Sequence, residues 1–476
     1  MMTLNDKDLL KRLEAVFVPD ASTRTPIPRQ RRVFIDAGMG AISAPPSAQA
    51  ARALCIADSI ARVAKWHGDQ VFLTVPLRET GDSPAHLMAQ IESEYPEWAF
   101  FQADTLDGYP TSLPLDAHDL YLTLCRARDR ADDPIFQTRV AAFQAQIDGG
   151  APHVIALWRL IVHVLIRHQQ MTYADMGVVP DMWTTTHDAL RYWRQISVQT
   201  LPVTLSDADS WCGMLWSRAN EFAADEVIAL VPNDDLKALQ TWTAAARAAG
   251  WLPEAFRVTL IGVGAVTEED SGALVDIPAG KTFLSLLKRL GSAAERHLYA
   301  QIEDYNLLLS YINLPCFQAK LGVAAWRGAT LLHPTGDPFA LNVNAVARPQ
   351  TGGGVRLLST WAHVESCMAV IVQHEWASAA RFVSPVAASE RALLDELVQF
   401  FDVLSETDAQ RTPQHLAYYA HRLSDHYHFF VRTCHPARTE NQSQRAAWVR
   451  VLHAFHHVFT IVLNLLGIIP THHRSM

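Results

Sequence analysis

Residues able to do chemistry gather toward the end of the chain. Ten of the 21 histidines fall within 411–476, among them His426, His428, His435, His453, His456 and His457. On a helix His453 and His457 stand one turn apart, a spacing that can chelate a metal. No carboxylate or cysteine pattern completes a ligand set, so helix-surface and partly buried imidazoles are expected and no metal. In the same stretch Arg422, Arg432, Arg445 and Arg450 accompany Tyr418, Tyr419 and Tyr427. Guanidinium groups contact an RNA backbone and tyrosyl rings stack on unpaired bases, which makes this the candidate RNA surface. The competing reading packs the rings into a bundle and leaves the arginines to solvate its outside.

Nucleotide chemistry leaves weaker marks. IGVGAV (261–266) contains Gly-x-Gly without a third glycine at dinucleotide spacing and reads as a strand end. No P-loop occurs, and AGKT (279–282) is too short to cradle phosphates by itself. The basic run RQRR (29–32) precedes a buried strand and reads as a solvated connector.

The positioning elements follow from periodicity. Residues 3–17 suggest a short helix. RRVFIDAGM reads as a buried strand ending at Gly38 and Gly40, residues 47–67 keep helical apolar spacing up to Gly68, and VFLTV (71–75) is a second strand. Strand, helix, strand implies a parallel sheet. Helices dominate 84–175. EVIALVP (226–232) and FRVTLIGVGAV (256–266) are further strands with a helix between them. From about 295 the pattern is helical, broken by the Pro- and Gly-rich boundary signal at 333–354.

At 476 residues, with 49% hydrophobic and 19% charged, the chain is expected to fold as two or three globular domains. No apolar run reaches the roughly 18 residues of a membrane span, and the charged N-terminus lacks a secretory core, so no membrane partner is expected. Six cysteines are scattered singly, which fits reduced thiols and a cytoplasmic address. A net charge of −9 argues against a surface that coats nucleic acid, and no DNA partner is expected. Residues 381–476 depart from that balance, with nine arginines, no lysine and eight acidic groups. Arginine is suited to forked phosphate contacts, although a high-GC coding bias gives the same excess.

Taken in order, several segments resemble arginyl-tRNA synthetase, a class I aminoacyl-tRNA synthetase. TGDSPAHLMAQIESEYPEW (80–98) is similar to the family segment after its second strand. The helical runs at 119–150 and 156–183 are similar to its paired helices and Leu-Trp motif. LGVAAWRGATLL (321–332) resembles the start of its stem region. Residues 390–434 through LNLLGIIPTHHRSM resemble its anticodon-binding DALR domain. The family's extra N-terminal domain has no counterpart in the 32 residues before Val33.

The resemblance implies a chemistry that these residues do not match. The family joins a carboxylate to the α-phosphate of ATP with positive charge and donors placed by a His-x-Gly-His motif and a mobile Lys-Met-Ser-Lys loop. The first motif falls on Pro45, Pro46, Ser47, Ala48, Gln49, Ala50, Ala51 and Arg52, which keep the proline and arginine but neither histidine nor the glycine. The family asparagine of the preceding loop falls on Ala41, and its strand acid persists as Asp36. In the lysine loop, Leu274, Val275, Asp276, Ile277 and Pro278 replace the functional residues, leaving Lys281 as the only cation. The family's Gly-Asn-Thr-Ala-Pro-Tyr-x-Gln run becomes GGVRLLST (353–360), and a family arginine falls on Glu365. Loss of even one such element typically costs about 10²–10³ in rate.

The resemblance therefore implies a class I Rossmann-like α/β domain at 33–295, after an N-terminal helix and connector (1–32). A helical stem (296–356) and an all-α DALR-type bundle (357–476) follow. It implies a non-catalytic paralogue that binds tRNA or a protein partner and needs no cofactor. An alternative keeps an active arginine–tRNA ligase, or an ATP- or tRNA-dependent ligase with a pocket rebuilt around Asp36, Arg52 and Lys281, using ATP and magnesium.

Overall fold

The computed structural model describes residues 5–17, 30–37, 40–42, 44–78, 83–102, 108–185, 222–248, 256–269, 283–299, 314–351 and 353–468. Its centre is a parallel sheet. Strand β1 (Arg32–Ala37) pairs with β3 (Gln70–Arg78) on one side and with β5 (Glu226–Pro232) on the other, and β5 pairs with β6 (Arg257–Val263). The two-residue β2 (Gly40–Ala41) and β4 (Met182–Thr185) also pair with β3. The chain thus runs outward through β3 and β4, then returns to β5 on the far side of β1. That reversal puts a topological switch point at the carboxyl ends of β1 and β5, where sheets of this kind hold ligands. Val33–Ile35 and Val227–Val231 are at most 1% exposed, as a parallel sheet covered on both faces requires.

Helix α2 (Ala48–Trp66) follows β2 and is buried nearly all round, which its alanine-rich sequence permits. Four helices sit between β3 and β4: α3 (Ser83–Glu94), α4 (Ala117–Asp129), α5 (Pro134–Asp148) and α6 (Pro152–Asp175). Helix α7 (Asn233–Ala248) joins β5 to β6. A second, two-stranded parallel sheet pairs β7 (Val266–Glu268) with β8 (Phe339–Leu341).

Beyond the sheet come α8 (Phe283–Tyr299), α9 (Leu314–Leu332), the short α10 (Val343–Val346) and α11 (Gly353–Gln373). Helices α9 and α11 cross at backbone contact. A Cβ on Gly354 would lie 1.7 Å from the Ala324 carbonyl oxygen, and one on Gly328 would lie 1.9 Å from the Gly354 nitrogen. The GGVR run therefore serves a helix crossing. Helix α11 passes residue 356 without a break, so the stem and the C-terminal bundle share it. The bundle adds α12 (Ala388–Leu397), α13 (Phe400–Gln410), α14 (Gln414–Thr433) and α15 (Gln442–Leu465).

One sequence expectation changes here. Helices α11 and α15, at 21 and 24 residues, are long and apolar enough to cross a membrane by length and composition. The count of unbroken apolar residues missed them because scattered His, Ser, Thr and Asn interrupt it. Their apolar faces supply the bundle core, including Val355, Val364, Phe455, Phe459 and Val462. The short helix expected over 3–17 is found as α1 (Asp6–Phe17), and it packs against the C-terminal part of the chain. Leu9 and Leu13 are fully buried, Glu14 accepts from the Phe382 amide at 2.7 Å, and Phe17 packs on Phe382.

Candidate functional site

The head of α2 faces the carboxyl ends of β5 and β6, and its side chains are committed to backbone there. Ser47 caps the helix, its Oγ accepting from the Ala50 amide at 3.1 Å. Gln49 donates from Nε2 to the Val263 carbonyl at 2.9 Å. Arg52 has no exposed surface. Its guanidinium donates to the carbonyls of Gly264 (2.9 Å), Asp337 (2.7 Å) and Pro334 (2.7 Å) and lies 4.9 Å from the Phe339 ring centroid. Burial lowers its pKa to about 10, with the Asp337 charge acting in the opposite direction. Ala50, where a second imidazole would stand, is buried.

What Arg52 holds is the turn 333–338, read from sequence as a boundary. Asn233 Nδ2 donates to the Gly336 carbonyl at 2.6 Å, and the Gly264 amide donates to the Thr335 carbonyl at 2.9 Å. A Cβ on Gly264 would come within 2.3 Å of the Asp337 carbonyl, so only glycine admits the turn this closely. The turn lies against the β6–β7 corner, and β8 continues it into the small sheet.

Asp36 is 3% exposed one residue before the end of β1. Ala41 lies in β2, opposite Arg78. Beside them is a polar cluster that sequence reading did not identify. Gln169 on α6 is fully buried and donates to the Ala44 carbonyl at 3.3 Å, and Tyr121 is buried on α4. Tyr173 stacks on Trp183, and burial pushes both tyrosine hydroxyls well above their usual pKa. A Cβ on Gly40 would touch Leu77, Gln169 and Tyr173, so β2 approaches this cluster closely. Lys281 and the loop around it lie outside the described residues.

The C-terminal candidates divide by burial. Tyr418 is 48% exposed, and Arg432 is exposed. Tyr419 and Tyr427 are fully buried; the first donates to the Glu396 carbonyl at 3.1 Å, and the second meets His363 Nδ1 at 2.7 Å. Neither ring can stack on a base, because both fall on the inward stripe of α14. Arg422 is held by Glu396 at 2.7 Å. Arg445 caps the carbonyls of Pro436 and Thr439, and Arg450 donates to the Phe17 carbonyl at 3.1 Å. Glu365 accepts from, or shares a proton with, His456 Nε2 at 2.6 Å. Among the described residues no group of three His, Cys, Asp or Glu side chains could hold a metal.

A family model for the DALR anticodon binding domain matches residues 366–473. The chain is 22% identical to the arginine–tRNA ligase of Francisella tularensis strain FSC 198, over 92% of this chain and 80% of that protein. The corresponding enzyme of Alkaliphilus oremlandii is 18% identical over 92% and 79%. In three dimensions, arginyl-tRNA synthetase from Thermus thermophilus superposes with a TM-score of 0.72 at 15% identity, covering 98% of this chain and 85% of that one. The Plasmodium falciparum arginyl-tRNA synthetase gives 0.71 at 14%, covering 98% and 83%. This chain is similar to arginyl-tRNA synthetases over most of its length and shares their fold.

Two buried charge clusters tie the DALR module to the synthetase-like α/β domain, and sequence reading identified neither. At the end of α15, where helix carbonyls lack partners, Arg327 Nη1 donates to Leu466 and Ser59 Oγ to Leu465, each at 3.0 Å. Arg327 also binds Asp58 at 2.8 Å, and Asp58 binds Arg62, which donates to the Asn464 carbonyl. At the α13–α14 corner, Arg411 binds both oxygens of Glu226 at the start of β5. Arg31 adds Asp69, Asp408 and Glu226, so this arginine of the run expected to be a solvated connector is an anchor. The available signal was a charged residue inside an apolar run, as Arg327 is in GVAAWRGATLL.

Proposed function

We propose that this arginyl-tRNA synthetase-like chain binds tRNA through its DALR module and does not activate an amino acid. The observation that carries the reading is the head of α2. Where the resemblance places two imidazoles, this chain has a capping serine and a buried alanine, and Gln49 and the retained Arg52 are bound to backbone carbonyls. Among the described residues at the head of α2, no cationic side chain is left free to meet the charge that develops on a phosphate in the transition state. The replaced lysine-loop residues Leu274–Pro278 support the same conclusion from sequence. Pyrophosphate exchange with arginine and ATP should stay at background, while a mobility-shift titration should give a tRNA complex that competitor RNA does not displace. Clear exchange would overturn the catalytic half of the reading, and absence of a tRNA complex would overturn the other. In the second case a protein partner, captured from cytoplasm, becomes the occupant of the module.

One observation favours an enzyme with a rebuilt pocket: the polar cluster of Asp36, Tyr121, Gln169 and Tyr173 beside the end of β1. A pocket that still held ATP with magnesium would raise the melting temperature in their presence, by about 2.7 kcal/mol of added stability at 100 times Kd.

A further inference from the structure

The insertion between β3 and β4 carries an unpaired cationic face. Helix α6 contains no carboxylate before its last residue, Asp175, in a chain of net charge −9. Arg159, His163 and Arg167 recur every four residues on it, and all three are exposed. Of the arginines just before α6 in the chain, Arg126 is bound to Glu94, Arg130 to Asp133 and Arg139 to Glu92, while Arg128 is exposed with no carboxylate partner among the described residues. Among the described residues, Arg159 and Arg167 have no carboxylate partner.

This face borders a groove of about 660 Å³ between α6 and the segment leading into α4. His163, Arg167, His168 and His118 stand on its walls, with Asp116 the one acid, and Leu113, Leu160, Val164 and Met171 line it with apolar surface. Asp116 is already used as the helix cap of α4, where it accepts from the Asp119 amide. Met171 is 62% exposed and stands at the edge of that apolar lining. Eight residues of helix place Arg159 and Arg167 about 12 Å apart along the axis, the span of about three or four phosphates of one strand.

We infer that this face binds the sugar–phosphate backbone of an RNA, with Arg159 and Arg167 on phosphates and one nucleotide seated against Met171. Unpaired guanidinium groups supply the forked donors, and the apolar groove supplies a surface for a base or ribose. The inference rests on the tRNA-binding reading and adds to it a second contact surface, distant in sequence from the DALR module.

The test is tRNA binding by the full chain across a salt series, for the unaltered protein and for Arg159→Gln/Arg167→Gln. Each lost phosphate contact lowers the slope of log K against log salt by about one, so the double variant should lose about two. A photo-crosslinking residue placed at position 171 should form an RNA adduct that excess unlabelled tRNA suppresses. An unaltered slope in the double variant, or no adduct while the protein still binds tRNA, overturns the inference and leaves the DALR reading intact. Failure of the unaltered chain to bind tRNA overturns both. Thermal melting of the double variant should match the parent, since both side chains are exposed.

Discussion

Replacing Arg52 with methionine should release the turn 333–338 from the sheet without creating or abolishing catalysis. The guanidinium makes three hydrogen bonds to main-chain carbonyls, at 2.7, 2.7 and 2.9 Å. A hydrogen bond to a charged group is worth about 1.5–3 kcal/mol, and a buried acceptor left alone costs about 1–3 kcal/mol. Three bonds at the lower figure give about 4–5 kcal/mol. Water reaching the two part-buried carbonyls reduces this to about 3–4 kcal/mol, close to the loss expected when a buried charge loses its place. Methionine retains much of the apolar stem, so the loss reports the guanidinium. Lysine should recover only part of it, because one ammonium cannot span the Gly264, Asp337 and Pro334 carbonyls as a fork does. Urea denaturation followed by tryptophan fluorescence measures the loss, and limited proteolysis reports cleavage at 333–338. A loss below about 1 kcal/mol, with the turn still resistant to protease, would refute the assignment of Arg52 as the residue that holds it.

Three further outcomes follow from buried groups. Asp58→Ala should cost about 3–5 kcal/mol, because it strands Arg327 with no exposed surface; Arg327→Met/Asp58→Ala should be milder than the single change, and a larger loss in the double variant would contradict the pairing. His421 and His428 are both held by burial at a pKa of about 4, with the Arg356 charge adding to the effect at each and His363 at the second. The unfolded chain takes up these protons near pH 6.5 and the folded one near 4, so their contribution is complete above 6.5 and is lost as pH falls toward 4. His421→Gln/His428→Gln should flatten stability against pH over that window; an unchanged acid limb would remove them as its cause. Tyr418→Ala should weaken tRNA binding by about 1–3 kcal/mol with stability unchanged, whereas Tyr427→Ala should lower stability by about 3–5 kcal/mol, and the reverse pattern would show that α14 faces the other way.

Much of the α/β domain was legible because its signals are local. The strand at 226–232 is found at those residues, the βαβ unit of β1, α2 and β3 follows from hydrophobic runs stopped at Gly68, and the C-terminal helices follow from their apolar spacing. The site was legible in one direction only. Residue types at 45–52 disclosed a stretch without histidine, but they could not disclose what its side chains hold, since the partners of Gln49 and Arg52 lie more than 200 residues away. Tyr418 and Tyr419 are neighbours in sequence and opposite in fate, because a helix turns by about 100° per residue and only one of them meets the core.

The sequence by itself determined the element order, the parallel sheet and the absence of histidine from 45–52, all of which depend on residue type or on spacing within a few turns. Tertiary structure alone decided which charges are structural. Arg52, Arg327 and Arg411 are buried because distant carbonyls and carboxylates come to meet them, while Arg159 and Arg167 are exposed and meet no carboxylate among the described residues. A cation's role is set by what lies within about 3 Å of it, and chain folding, not chain order, brings those atoms there.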